Sequence, residues 1–338
     1  MNGRKAWLQV KYENKDISTY LQPYLLSWSY TDNLSGQADD LQLTLEDTNQ
    51  LWSGAWMPEK GNVIQGVIMR QDWEKHGITN TLPIGQFEID EIEVGGPPSV
   101  ATIKAISVPE SSSLRGERKN RAWEKTFLSV IARDIASKAK LKLMFQTSED
   151  PEYDRIEQTD EYDLAFLMRL CNDAGLCLKV TGKQLVIFDE EDLEKKAPVA
   201  TLRKGDPIIK SYQGRTSLNG LYKACRVEYY NARKKQTIKY TYTPPKPPKT
   251  GRVLVINQRV SSQKEAIRLA KKRLRQENKN ATVFSITLLG DTRFVAGLTV
   301  NLSGFGKFDG KYIITQAAHG QQSGYETKLE LRRCLEGY

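Results

Sequence analysis

The stretch SGFGKFDGKYIITQAAHGQQSGYETKLEL, residues 303–331, sets glycines beside lysines, and its interpretation decides between a phosphate-binding loop and a β-rich framework. A P-loop has two glycines separated by four residues, then Lys, then Ser or Thr. Here Gly304 and Gly310 are separated by five residues, and Lys311 is followed by Tyr312. The residues that follow are rich in β-branched side chains, which is typical of a strand. We therefore predict two β-hairpins that turn at residues 308–311 and 321–324.

The length and charge of the chain set the range of possible functions. Its 338 residues suffice for two or three domains. Fifty Lys and Arg against 41 Asp and Glu give a net charge of +9, which suits either an anionic partner or a solvated surface that meets an acidic protein. No run of eighteen apolar residues predicts a membrane span, and the N-terminus shows no signal-peptide core. We expect synthesis in a cytosol.

Residues suited to catalysis or metal binding are few. The only histidines are His76 and His319, and HExxH and GxSxG motifs are absent. No CxxC motif occurs, so reduced thiols that fill core space are favoured over a zinc site. These thiols are Cys171, Cys177, Cys225 and Cys334. We predict no catalytic residue, no metal and no cofactor, although paired carboxylates leave a hydrolase open.

Residues 1–108 are predicted to form a first small β-barrel or sandwich. The segment LQLTLED alternates, with one face formed by Leu41, Leu43 and Leu45. In the segment GQFEIDEIEV, alternation predicts one face with Phe87, Ile89, Glu91 and Glu93, and the other with Ile92 and Val94.

Residues 109–200 are predicted to form an α+β domain with two helices, near 126–139 and 160–174, and a hairpin at 176–188. Thr126 is the predicted N-cap of the first helix, whose buried stripe is Phe127, Ile131, Ile135 and Ala139. Asp160 or Asp163 caps the second helix, whose stripe is Leu164, Leu167, Met168 and Cys171. Gly175 stands where a left-handed C-cap belongs.

Residues 201–338 are predicted to form a second β-barrel-like domain with an inserted segment at about 226–280. Thr243–Gly251, TPPKPPKTG, is predicted to be a stiff loop. A third helix starts at Ser262 in a capping box with Glu265. The spacing predicts that its buried face consists of Ala266, Leu269, Ala270 and Leu274. Its outer face is predicted to consist of Lys264, Arg268, Lys271, Lys272, Arg273 and Arg275. This basic helix, residues 264–279, keeps a nucleic-acid-binding alternative open, although a solvated face or an acidic neighbour is favoured.

Two segments resemble the phage late control protein D family, the baseplate hub of contractile tails. The segment DEYDLAFLMRLCNDAGLCLKVTGKQLVIF is similar to the family pattern of a Phe-Leu-x-Arg-Leu core, a helix-ending glycine and a hairpin. The matching residues are Phe166, Leu167, Arg169, Leu170 and Gly175. The C-terminal part shows the family's Gly-Asp, Ala-Gly, Asp-Gly-x-Tyr and late His in the residues Gly290, Asp291, Gly297, Asp309, Gly310, Tyr312 and His319. The proline-rich Thr243–Gly251 departs from the pattern.

The resemblance implies a structural protein. Hubs of this family form trimers in which each subunit supplies two similar β-barrel domains, so that a pseudo-sixfold ring joins the hexameric tail tube to a trimeric spike. The related VgrG proteins fuse hub and spike. Because this chain stops at Tyr338, we expect the spike to be a separate partner, beside the tube or its initiator and other baseplate proteins. Nucleic acid would meet the hub only by passing through the lumen.

Two other interpretations remain open from the sequence. A cell-wall-degrading tail enzyme would use His319 or hidden carboxylates, and a nucleic-acid-binding protein would use the basic helix at 264–279. Under the hub interpretation, the glycines at 304–310 serve tight turns, and His319 has a structural role at a strand end.

Overall fold

The computed structural model describes residues 3–108, 113–231, 235–260 and 262–338, and over these residues the chain is mainly β with an α+β unit, as predicted. The first β region, residues 3–108, consists of β1 (Lys5–Tyr12), β2 (Lys15–Asp16), α1 (Ser18–Leu21), β3 (Leu25–Asn33), β4 (Asp40–Glu46), β5 (Val63–Gln71), β6 (Thr79–Gly95) and β7 (Val100–Ile106).

The α+β unit, residues 113–196, follows. It consists of α2 (Ser113–Gly116), β8 (Arg118–Phe127), α3 (Leu128–Lys138), β9 (Lys142–Gln146), β10 (Glu152–Tyr162), α4 (Asp163–Ala174), β11 (Cys177–Thr181), β12 (Gln184–Phe188) and α5 (Glu190–Lys195).

The second β region comprises residues 200–216 and 282–333, and the insertion, residues 217–281, lies between them. In chain order the elements are β13 (Ala200–Arg203), β14 (Ile209–Thr216), β15 (Ala224–Asn231), β16 (Gln236–Tyr242), β17 (Val253–Ile256), α6 (Gln263–Asn278), β18 (Thr282–Leu289), β19 (Thr299–Ser303), a 3-10 turn (Gly306–Phe308), β20 (Gly310–Gln321) and β21 (Tyr325–Arg333).

The two β regions share one strand ladder. Its order is β14-β18-β21-β20-β3-β4-β7-β6-β5-β1-β2. In addition, β19 pairs with β20, and β13 pairs with β19. The regions meet where β20 pairs antiparallel with β3, so that His319 lies opposite Tyr30. Each region nevertheless has its own apolar core. The alternating leucines of β4 lie in the first core, as predicted.

The face prediction for β6 is wrong beyond Ile89. Ile89 pairs with Ala105, but the next pair joins Glu91 to Lys104, so the register shifts by one residue. Such a bulge reverses which residues face the core. Ile92 therefore packs on the core, while Glu91 is exposed and binds the Lys104 ammonium at 2.9 Å.

The first predicted helix begins later than expected. Thr126 belongs to β8 and is not an N-cap, and Phe127 is exposed. Leu128 takes the core position that we assigned to Phe127, because the chain is still extended at 127. The backbone N–H of Ser129, in the first turn of α3, has no acceptor within the helix and donates to Asp150 Oδ1 at 2.9 Å. A residue 21 positions away in the sequence therefore provides the hydrogen-bond acceptor for this helix end.

The second predicted helix, α4, begins at Asp163, with Tyr162 rather than Asp160 or Asp163 as N-cap. Its fully buried apolar side chains are Phe166, Leu167, Leu170 and Cys171, whereas Leu164 and Met168 are only partly buried. The predicted C-cap is confirmed, since Gly175 has φ of 69° and ψ of 27°. The hairpin that turns at residues 181–184 is also confirmed.

The insertion forms a three-stranded sheet, β16-β15-β17, with α6 packed on one face. Ser262 caps α6 as predicted, because its Oγ accepts from the backbone N–H of Glu265 at 3.2 Å. The four predicted inward residues of α6 are buried. Along the described ranges, no helix is long and apolar enough to cross a membrane.

Candidate functional site

The twelve residues singled out by the family pattern fall in three places. One group lies in or just after α4: Phe166, Leu167, Arg169, Leu170 and Gly175. A second group lies at the junction, defined as the contact of β3 with β20 and the adjoining residues 290–297: Gly290, Asp291, Gly297 and His319. The third group lies at the start of β20: Asp309, Gly310 and Tyr312.

His319 is fully buried at the junction and has protein partners at both ring nitrogens. Its Nε2 lies 2.8 Å from the carbonyl oxygen of Phe294, which can only accept, so Nε2 carries the proton. Nδ1 then accepts from the Tyr325 hydroxyl at 2.8 Å. Burial lowers the pKa of His319, which keeps the ring neutral. These contacts suit a structural residue, and among the residues that the structure describes no carboxylate hydrogen-bonds to the ring.

Asp291 ties the loop after β18 to the first β region. Nη1 of the buried Arg70 in β5 donates to the Gly290 carbonyl at 3.0 Å and lies 3.4 Å from Asp291 Oδ1. The Arg293 side chain donates to both Asp291 oxygens, from Nε to Oδ1 at 3.1 Å and from Nη2 to Oδ2 at 2.6 Å. Burial alone would raise the pKa of Asp291, but hydrogen bonds from Arg293 and the charge of Arg70 lower it, so the carboxylate stays ionised.

Gly290 allows a very close approach at the junction. A Cβ at this position would lie 2.0 Å from the Tyr325 ring. Tyr325 belongs to β21 of the second β region, yet its ring packs in the first core, 5.7 Å from the Trp28 ring. Only glycine fits here without displacing the ring that also binds His319.

A buried ion cluster at the junction was missed by sequence reasoning. Lys179 Nζ of β11 contacts Asp32 and lies 3.1 Å from Asp39 Oδ1. Asp32 also accepts from the backbone N–H of Ala296 at 2.8 Å. Burial raises the pKa of Asp39 to about 6, against the lowering effect of Lys179. The cluster joins the α+β unit to both β regions, and no local sequence pattern marks it.

The α4 group is mostly core. Phe166, Leu167 and Leu170 are buried among the apolar residues of the α+β unit. Arg169 instead points outward, where it donates to Glu161 at 2.7 Å. Gly175 contacts the insertion, because a Cβ there would lie 2.7 Å from the Lys272 side chain of α6.

The turn before β20 is wider than predicted. Residues 304–309 connect β19 to β20 through the 3-10 turn, and Gly310, with φ of 135°, is the first residue of β20. The Asp309 carboxylate accepts from the backbone N–H of Gly304 at 3.1 Å and of Phe305 at 2.6 Å. Asp309 therefore closes its own loop rather than pairing with His319.

The basic face of α6 meets carboxylates. Three cations of α6 and Lys279, which directly follows it, contact acidic residues of the α+β unit: Lys272 with Asp189, Arg275 with Glu194, Lys279 with Glu190, and Arg268 with Glu149. Arg275 is buried, which corrects its predicted outward position. Burial alone would raise the pKa of Glu190, but Arg332 and Lys279 lower it to about 2. Much of the charge proposed for phosphates is thus already neutralised.

The cysteines occupy apolar or enclosed positions and are free thiols. Burial raises the pKa of Cys171 to about 12 and that of Cys225 to about 11, so both stay protonated at neutral pH. Over the ranges described above, no group of three or more His, Cys, Asp or Glu is placed to hold a metal ion.

Comparison with known proteins gives the family. A family model described as phage tail baseplate hub (GPD) matches residues 89–324, which is more than half of the chain. The chain belongs to the phage tail baseplate hub family. The matched residues include all twelve pattern residues, from Phe166 in α4 to His319 in β20.

Relatives over nearly the whole length agree. A probable baseplate hub protein of Escherichia phage 186 is 24% identical and aligns with 94% of this chain and 90% of its own. The crystal structure of a 43 kDa tail protein of prophage MuSo2 from Shewanella oneidensis superposes with a TM-score of 0.73 at 16% identity, over 98% of this chain and 99% of that one. An Escherichia coli type VI secretion component, described as structurally similar to T4 tail proteins, superposes with a TM-score of 0.58 at 13% identity, over 99% of this chain and 78% of its own. The fold of these proteins therefore extends over nearly the whole chain.

Proposed function

We propose that three copies of this chain form a ring in a contractile phage tail or related particle, and that the ring joins the tail tube to a separate spike protein. The match to the baseplate hub family over residues 89–324 carries the proposal. With two β regions in each chain, three copies would present six similar units to a hexameric tube. We propose residues 1–108, 109–200 and 201–338 as the corresponding domains.

The two β regions suit such a ring subunit because they are held as one body. Continuous pairing of β20 with both β21 and β3 joins the sheets, and Tyr325 places a side chain of one region in the core of the other. A subunit that transmits load between tube and spike needs this kind of internal connection.

The chain acts as a scaffold in this proposal, not as an enzyme. His319 is buried with both ring nitrogens bound within the protein, and Asp309 is engaged in its own loop. Incubation with purified peptidoglycan should release no soluble fragments. Release that is lost in His319→Gln, when circular dichroism shows that this variant folds like the wild type, would contradict the scaffold role.

Sedimentation velocity or native mass spectrometry tests the ring directly. We expect a species of three times the chain mass, either alone or after addition of the spike encoded by the same phage, and a ring with a central opening in electron micrographs. A chain that stays monomeric with its spike present, at concentrations well above micromolar, would refute the proposal.

A further inference from the structure

The charge of the chain is concentrated in the insertion. Residues 217–281 contain 17 Lys and Arg against three Glu, a net charge of +14, whereas the whole chain carries only +9. The first β region is the opposite, since residues 1–108 contain eight Lys and Arg against 14 Asp and Glu. Segments of opposite sign within one chain indicate surfaces that complement each other.

Two sets of cations in the insertion differ in their partners. Four cations on or just after α6 are paired with carboxylates of the α+β unit, as described above. The second set, which we name the basic end, consists of Lys223, Lys249 and Arg252, which are all exposed. Within the ranges that the structure describes, no carboxylate lies within ion-pair distance of these three side chains.

The basic end is held rigidly. Lys223 and Arg252 stand immediately before the paired strands β15 and β17, and the backbone N–H of Lys223 donates to the Arg252 carbonyl at 2.9 Å. The proline-rich Thr243–Gly251 carries Lys249 and packs on the chain's last residues, since a Cβ on Gly337 would lie 2.8 Å from the Pro245 ring. Prolines restrict the backbone, so presenting these cations to a partner costs little conformational entropy.

The first β region presents a matching acidic face. On β4 and β6, the side of the sheet away from the core carries Asp40, Glu46, Glu91 and Glu93, with Lys104 as the one cation between them. Glu91 and Glu93 are both exposed. We name this set the acidic face.

We propose that the basic end of one copy docks on the acidic face of a second copy, head to tail. The inference rests on the proposed trimer and names the surfaces that would form it. A ring of three cannot be closed by a self-complementary contact, so it needs two different surfaces on each chain that fit each other. The basic end and the acidic face provide such a pair, with opposite charges on parts of the chain that are far apart in sequence.

Charge reversal with rescue tests the docking. The variant K223E/K249E/R252E reverses the basic end, and E91K/E93K/K104E reverses the centre of the acidic face while keeping its internal ion pairs. Each variant alone should raise the concentration for half-assembly at least ~10-fold in sedimentation velocity at low salt, where surface charges act over about 10 Å. The protein that carries both reversals should recover assembly. The variant R133E/K140E/K142E, with three equally exposed cations on the α+β unit, should assemble like the wild type.

The outcomes separate this inference from the proposed function. A wild type that forms trimers unaffected by either reversal overturns the docking and leaves the ring intact. A wild type that stays monomeric with its spike overturns both. If reversal of the basic end weakens assembly without rescue by the second reversal, and the wild type binds a fluorescent DNA duplex through the same three cations, the partner is nucleic acid and the docking is wrong. Circular dichroism of each variant checks that it folds.

Discussion

Replacement of Gly290 by alanine should destabilise the protein strongly, and the structure gives the reason. The added Cβ would lie 2.0 Å from Tyr325 Cδ1 and 2.2 Å from Cγ. Carbon atoms in ordinary contact are about 3.5 Å apart, so the ring must move by roughly 1.5 Å. Gly290 has no positive φ, so alanine adds steric overlap without backbone strain.

The cost of moving Tyr325 has two parts. Forcing a methyl group into a packed core costs about 1–3 kcal/mol. The Tyr325 hydroxyl donates to His319 Nδ1 at 2.8 Å, and loss of this buried hydrogen bond costs about 1–3 kcal/mol more. The free energy of unfolding should therefore fall by about 2–6 kcal/mol.

Urea unfolding followed by tryptophan fluorescence measures this change. Gly324→Ala is the matched control, because Gly324 also lacks a positive φ and a Cβ there meets nothing within 4 Å. In a Tyr325→Ala background, Gly290→Ala should cost less than about 0.5 kcal/mol, since the clashing ring is gone. A loss below about 0.5 kcal/mol in the single variant would refute the close approach at the junction.

Three further predictions address the α+β unit and the buried charges. Leu167→Ala or Leu170→Ala should each lower the free energy of unfolding by about 2–5 kcal/mol, because both side chains are fully buried. The control Arg169→Ala, at an outward-facing residue of the same helix, should cost less than about 1 kcal/mol. Equal losses in urea unfolding would mean that the helix face is misassigned. Glu190→Gln should cost about 3–5 kcal/mol at pH 7, because Lys279 loses its carboxylate partner and the buried Arg332 keeps only Glu194 of its two. The half-exposed Glu191→Gln serves as the control, and losses of the same size in both would contradict the buried network. Burial lowers the pKa of His319 below its ordinary 6.5, so the unfolded chain binds the proton first as pH falls, and stability should decline below about pH 6.5. Urea titrations at about pH 7.5 and 5.5 should show a smaller decline in His319→Gln than in the wild type. An identical decline in both proteins would contradict a neutral buried imidazole.

What could be predicted from the sequence is local. The Gly175 C-cap, the Ser262 cap and the leucines of β4 depend on neighbours within a few positions, and each is confirmed. The shift after Ile89 and the start of α3 were not predictable, because pairing with distant strands decides them. A bulge leaves the composition of a strand unchanged, so alternation alone cannot reveal it.

The ion clusters were beyond sequence reasoning for the same reason. Lys179 and Asp32 are 147 positions apart, and Arg332 and Glu190 are 142 apart. Nothing near either residue distinguishes a buried partner from a solvated charge. The pattern residues Gly290 and His319 could be located by resemblance, but their common partner Tyr325 became visible only in the structure.

The position of Tyr325 bears on how the chain can work as a hub subunit. Its backbone begins β21, directly after the turn of the last hairpin of the second β region, while its ring packs in the first core beside Trp28. Separating the two regions would therefore expose the Tyr325 ring to solvent. It would also break the hydrogen bond between Tyr325 and His319 and the one from Arg70 to the Gly290 carbonyl. Each of these losses is costly in a buried site, and they would occur together. The two β regions should thus unfold as one cooperative unit, which is the behaviour that the proposed ring would require of a subunit whose two β regions keep a fixed spacing.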